Sequence, residues 1–233
     1  MTASIAEQKA RLLEAALVHV PFDGWSETAL KAAASDLGIE VQAAHALFPR
    51  GPVDMALAYH QAGDAKMVER LETEDLSALR YGEKVAAAVR FRLEAVPDRE
   101  VVRRGMTLFA LPQHAADGAK AIWGTCDLIW NTLGDTSEDG NWYSKRAMLS
   151  GVYSSTVLFW LGDDSPGHQA TWDFLDRRID DVLRFEKFKA QAGESPLLKP
   201  LMAGPSWLMR QLRKPQENWR DDLPGSRETD RQA

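Results

Sequence analysis

Apolar residues recur at helical spacing along most of this chain, and the runs are broken by proline, glycine and short polar stretches. Ile5, Leu12, Leu13, Ala16 and Leu17 share one face of a predicted helix over 5–18, which Pro21 and Gly24 are expected to end. Ser26 is placed to cap a second helix over 27–37, and Gly38 stops it in the manner of a left-handed C-terminal cap. A short third helix starts at Val41 and stops at Phe48-Pro49. Pro52 suits the first turn of a long fourth helix, on which Val53, Ala56, Leu57 and His60 or Gln61 repeat towards Glu74. The same periodicity predicts helices over about 82–95, 99–110, 115–133, 142–161 and 167–191, separated at Pro97-Asp98, Leu111-Pro112, the polar run 134–141 and the stretch 162–166. No strand pattern is present, so the expected fold is an all-α bundle.

The first three predicted helices have the layout of a helix-turn-helix head, over 1–60, joined to a larger helical body over 61–194. Charge changes what that head can do. Residues 1–60 hold four basic side chains (Lys9, Arg11, Lys31, Arg50) against seven acidic ones, and the segment that would enter a major groove, 41–48, contains no lysine or arginine. Duplex binding draws much of its free energy from counterions released as basic groups meet phosphates, so this head is not expected to bind nucleic acid. The whole chain of 233 residues carries a formal charge of −6, which points the same way.

Candidate chemistry is sparse. Cys126 is the lone cysteine and cannot close an internal disulfide. No signal peptide or mitochondrial-type leader is legible, and the apolar stretch 152–161 is too short to cross a bilayer. The expectation is a cytoplasmic protein, peripheral to the inner membrane. None of the five histidines has a glutamate three residues before it, and no phosphate-binding glycine loop, nucleophile elbow or paired cysteine occurs. No catalytic residue, metal ligand or cofactor is therefore assigned. All eight tryptophans except Trp25 come after residue 120, and Trp123 and Trp130 lie near one face with Ile122, Cys126 and Ile129. That face reads either as a dense core or dimer seam, or as the wall of a cavity for an apolar ligand.

From residue 195 the chain changes character. Leu197, Leu198, Leu201, Met202, Trp207, Leu208 and Leu212 accompany Arg210 and Arg213 with no acid before Glu217. An apolar and basic stretch in an acidic protein suits adsorption on an anionic membrane, so 195–220 is expected to be an amphipathic membrane-contacting segment. The alternative is a terminal helix docked on its own bundle. Residues 221–233 read as a disordered tail.

Two stretches converge on one family. The first is Ala16-Leu-Val-His-Val-Pro-Phe-Asp-Gly-Trp-Ser together with Leu47-Phe-Pro-Arg-Gly-Pro-Val-Asp; the second is Tyr153-Ser-Ser-Thr, Asp164-Ser165, Thr171-Trp172, Phe174-Leu175 and Arg178. Both resemble the COQ9 family of ubiquinone-biosynthesis proteins. The resemblance implies a fold like that of TetR regulators which no longer reads DNA, a homodimer, a body that binds an isoprenoid lipid or quinone intermediate, and a di-iron hydroxylase as partner. It implies a non-enzymatic accessory protein that presents its lipid to the hydroxylase at the membrane surface. On this reading Ile122, Trp123, Leu149, Val152, Tyr153, Thr156 and Phe159 are expected to line the lipid site, and Asp164, Thr171, Trp172 and Arg178 to meet the hydroxylase. Trp172 reads equally as a pin for the last helix. The competing classes are a TetR-type transcriptional regulator with a small apolar effector, and an enzyme with an unrecognised site in the apolar body.

Overall fold

A computed structural model describes residues 4–137 and 140–194 as nine α-helices with no strand among them. In chain order they are α1 (Ile5–Asp23), α2 (Glu27–Asp36), α3 (Val41–Leu47), α4 (Pro52–Thr73), α5 (Tyr81–Glu94), α6 (Arg99–Phe109), α7 (Ala115–Thr132), α8 (Gly140–Leu161) and, after a 3-10 turn at Pro166–His168, α9 (Gln169–Glu194). The expected membrane segment and tail, 195–233, lie outside the described residues.

Caps fix the helix starts. Ser4 and Glu7 form a reciprocal capping box on α1, Ser26 accepts from the Ala29 N–H on α2, and Asp98 accepts from the Glu100 N–H on α6. One expected end is corrected: α1 continues through Pro21 and stops at Gly24, whose φ of 69° favours glycine. Proline there removes a single N–H in the last turns, and Arg104 of α6 donates from Nε and Nη2 to the Pro21 carbonyl at 3.1 and 2.8 Å. A partner from another helix holds the chain past the break.

Two cores form. The head core joins Leu12, Ala16 and Val20 of α1, Ala29, Leu30, Ala33 and Ala34 of α2, and Ala44 and Phe48 to Met55 and Ala56 of α4. The body core joins Met67 and Leu71 of α4 to Val89 and Phe91 of α5, Cys126 and Ile129 of α7, Leu149 and Trp160 of α8, and Trp172 and Leu175 of α9. The expected division at residue 60 therefore falls inside one unbroken helix. Helix α6 also serves both sides, since Val101 belongs to the head core while the next residue, Val102, packs on the body core. The Trp25 indole N–H donates to the Val101 carbonyl at 3.2 Å and ties the α1–α2 turn to α6.

Candidate ligand cavity

Between the two cores lies a cavity of about 170 Å³, enclosed by α4, α5, α6, α7 and α8 with Trp25 at its head side. Its walls are mostly apolar, with Leu93, Val102, Met106, Phe109, Ile122 and Val157 prominent. Two glycines help to shape it. A methyl group at Gly118 would stand 2.8 Å from Phe109 Cβ, so glycine lets α6 and α7 approach, whereas Gly105 faces Trp25 Nε1 at an ordinary 3.5 Å. An apolar cavity of about 150 Å³ holds a benzene molecule, so the space accepts one ring-sized group and not a whole polyprenyl chain. A second hollow, about 270 Å³, lies between α5, α7, α8 and α9, with Val85, Trp130, Leu149, Val152 and Leu183 around it.

Polar groups gather at one end of the first cavity. Arg92 is buried and donates from Nε to Asp64 Oδ1 at 2.6 Å and from Nη2 to the His60 carbonyl and His60 Nδ1 at 3.0 and 3.2 Å. A guanidinium only donates, so His60 Nδ1 accepts and Nε2 carries the proton. Nε2 then donates to Thr125 Oγ1 at 2.7 Å, and the Thr125 hydroxyl in turn donates to Asp64 at 3.0 Å. The loop of bonds closes on itself. Burial is the main cause that holds the His60 pKa below its ordinary value, and neutral His60 is the form the bonds require. Arg92 crosses α4 at Gly63, where a methyl group would lie 2.6 Å from Nη1. Tyr59 and Tyr153 also face the cavity, and burial pushes both phenols up to about 12, so each keeps its proton at neutral pH.

In the head, α3 presents Gln42, Ala43 and Ala46 outwards. His45 pairs with Glu27 at 3.2 Å, and His19 with Asp36 at 2.7 Å. The face that a DNA-reading helix would use therefore offers no basic side chain.

Comparison with known proteins points to one family. The COQ9 family model matches residues 115–186. The "Ubiquinone biosynthesis protein COQ9, mitochondrial" of Drosophila melanogaster is 33% identical over 188 residues, 78% of this chain and 57% of that protein. The rat protein of the same name is 34% identical over 181 residues, 74% of this chain and 58% of that one. The chain is similar to the COQ9 family. It spans somewhat under two thirds of the length of these curated COQ9 relatives, all named as mitochondrial. The TetR transcriptional regulator of Nitrosomonas europaea shares the fold, with a TM-score of 0.63 at 17% identity over 75% of this chain and 97% of that one. Similarity to COQ9 and a TetR-like all-α architecture thus stand together. Among the described residues no helix is long and apolar enough to cross a membrane.

The structure divides the residues expected at the lipid site of this chain. Ile122 and Tyr153 line the first cavity, and Leu149 and Val152 the second. Trp123, Thr156 and Phe159 border neither: Trp123 packs on Trp142 and Tyr143 with ring centroids 5.9 and 6.3 Å away, buried Thr156 donates to the Val152 carbonyl at 2.7 Å, and exposed Phe159 stacks on Phe174 at 4.7 Å. The cause is phase, because seven-residue spacing on α7 and α8 leaves room for two hollows and an outer face.

The residues expected to meet a partner also separate. Thr171 is fully buried and donates its N–H and hydroxyl to Asp163 at 2.9 and 2.6 Å. The Thr171 hydrogen bond is the main cause that holds the Asp163 carboxyl well below the usual range. Trp172 is buried too, donates to the Gly167 carbonyl at 2.8 Å and lies under the Arg90 guanidinium at 4.8 Å, so it pins the start of α9. Asp164 and Arg178 remain at the surface, the latter paired with Asp181 at 2.7 Å and 5.4 Å from the Phe174 ring.

Sequence reading missed Trp25, Tyr59, His60 and Arg92 at the cavity, and Asp64 and Thr125, which hold His60 and Arg92 from behind. A signal was present at Arg92, which continues the apolar stripe Val85, Ala88 and Val89 of α5. A cation on a buried stripe needs buried partners. Arg146 on α8 carries the same mark, continuing towards Leu149 and Tyr153, and it too is buried, bonded to Asp127, Asp135, Asn131 and the Trp142 carbonyl.

Proposed function

We propose that this chain is a non-enzymatic accessory protein of ubiquinone biosynthesis that binds an isoprenoid quinone intermediate and presents it to a di-iron quinone-ring hydroxylase at a membrane surface. The observation that carries the reading is the first cavity: apolar walls, space for one ring, and a single polar end, in a chain similar to the COQ9 family. Its polar network supports a binding role over a catalytic one, because His60, Asp64, Arg92 and Thr125 spend their hydrogen bonds on one another. The ring portion of the ligand occupies the cavity, while the prenyl chain, too long for about 170 Å³, leaves through its mouth. A homodimer, an anionic membrane contact through 195–220 and the hydroxylase partnership are parts of the same proposal. Asp164, and Arg178 beside the Phe159–Phe174 stack, are exposed and are the members of the expected partner set available to a second protein.

Mass spectrometry of an organic extract of the purified, folded protein tests this directly. A polyprenyl quinone or a precursor of one is expected near one equivalent per chain. An empty extract after gentle purification, with no uptake of added quinone, overturns the proposal. The shared fold keeps one other reading in view, a TetR-type regulator with a small apolar effector. That reading requires salt-dependent binding of the protein to duplex DNA, and the outward face of α3 argues against it.

A further inference from the structure

Among the described residues three buried polar atoms have no hydrogen-bond partner, Tyr59 Oη, Trp130 Nε1 and Trp142 Nε1, and all three are sealed from any open space. Tyr153 differs. It stands four residues before Val157 on α8, so both side chains turn to the first cavity, while neighbouring Val152 turns to the second hollow. The residue is only 4% exposed, no described residue bonds its hydroxyl, and that hydroxyl is not one of the sealed atoms, so the surface it keeps belongs to the cavity. A hydroxyl held so deep without a partner is costly, and a molecule inside the cavity is placed to meet it. Burial pushes the phenol up to about 12, so at neutral pH it offers a donor and not an anion. The Arg92 charge acts on it more strongly than that of Asp64, which favours an electron-rich partner and disfavours a cation. His60, Arg92 and Thr125 at the same end are already bonded to one another or to Asp64.

We infer that the first cavity takes a ring-sized apolar group carrying an acceptor oxygen, a carbonyl or an alkoxy, and that the Tyr153 hydroxyl donates to that oxygen. This rests on the ligand-cavity reading above and deepens it, because it separates oxygenated rings from hydrocarbon of the same size. An isoprene unit leaves the phenol unmet; an oxygenated ring satisfies it. Tyr153 is thus a specificity residue, acting in binding through one directed bond.

The test uses two probes of nearly identical shape, acetophenone and α-methylstyrene, which differ by a carbonyl against a carbon–carbon double bond. Affinities for the full chain, for Tyr153→Phe and for Tyr59→Phe are measured by NMR titration, with the signals of Met106 and Val157 locating the probe. Tyr153→Phe is expected to weaken acetophenone about five- to tenfold and to leave α-methylstyrene within about twofold. Tyr59→Phe, which removes a sealed hydroxyl from the same wall, is expected to leave both probes within about twofold. The melting temperature of Tyr153→Phe is expected to match that of the parent, since no protein group loses a bond. If both probes bind at the cavity and Tyr153→Phe moves them alike, if Tyr59→Phe reproduces its selectivity, or if α-methylstyrene alone binds there, the Tyr153 inference is wrong and the cavity reading stands. If neither probe perturbs the cavity signals of the parent protein, the cavity reading itself fails and the inference with it.

Discussion

The head and the body of this chain solve the packing problem with different side chains. Alanine dominates the head core, with Ala16, Ala29, Ala33, Ala34, Ala44 and Ala56 all buried, so α1, α2 and α3 approach closely around Leu12, Leu30 and Phe48. The body core uses Phe91, Ile129, Trp160 and Trp172; the second hollow opens among its helices, and the first lies where it meets the head core. Small side chains let helix axes close up and leave no gap, whereas bulky ones hold axes apart and fill the space unevenly. The head is thus a compact support, and the open space of the molecule sits where large residues meet.

The largest expected effect breaks the body at its polar end. Asp64→Leu leaves Arg92 buried without its counter-ion and is expected to cost about 3–5 kcal/mol, read by urea unfolding. Next comes a direct contrast between regions. Ala33→Leu overpacks the head and is expected to cost about 1–3 kcal/mol, while Gly105→Ala at the cavity, with no close contact, is expected to be neutral or to stabilise α6 by up to about 1 kcal/mol. Gly63→Ala, which pushes on Arg92, is expected to lower stability instead, although it is the same change in the same fold. Thermal melts of the three variants side by side decide whether space really distinguishes the regions.

Protonation gives a smaller effect. The folded-state pKa of His60 is held below its unfolded value of about 6.5, so below that pH the unfolded chain binds the extra proton first. Stability is expected to be full above about pH 6.5 and to decline as the pH falls from there towards the folded pKa. His60→Gln is expected to flatten that slope, and an unchanged slope would place the responsible group elsewhere. The smallest effect belongs to the surface: Phe159→Ser is expected to change the melting temperature of the free chain by only a degree or two, while weakening capture of the hydroxylase if that face is the docking surface.

Helix existence and order were legible because caps and breakers agree with the periodicity: Ser26, Gly24, Pro52 and the break at Pro97-Asp98 each mark an end that the structure uses. The helix boundary at Pro21 was not, since the Arg104 bonds that carry α1 past it come from a residue 83 positions away. The cavity was only half legible. Ile122 and Tyr153 announce an apolar face, but whether that face meets a neighbour or a void depends on how α6 leans on α4 and α7, and periodicity within one helix carries no information on that. Trp172 reads in sequence both as an anchor for a partner and as a pin for α9, and its bond to the Gly167 carbonyl is a contact that periodicity does not announce.

Helix α4 gives the molecule its mechanical unity. Met55 and Ala56 near one end and Met67 and Leu71 near the other belong to separate cores, yet they ride on a single rod about 33 Å long at 1.5 Å per residue. Neither core can melt without stripping half of that rod, so head and body share one cooperative opening. Amides of α2, far from the cavity, are then expected to exchange with solvent at the pace of global unfolding, and a ligand that tightens the body slows exchange in the head as well.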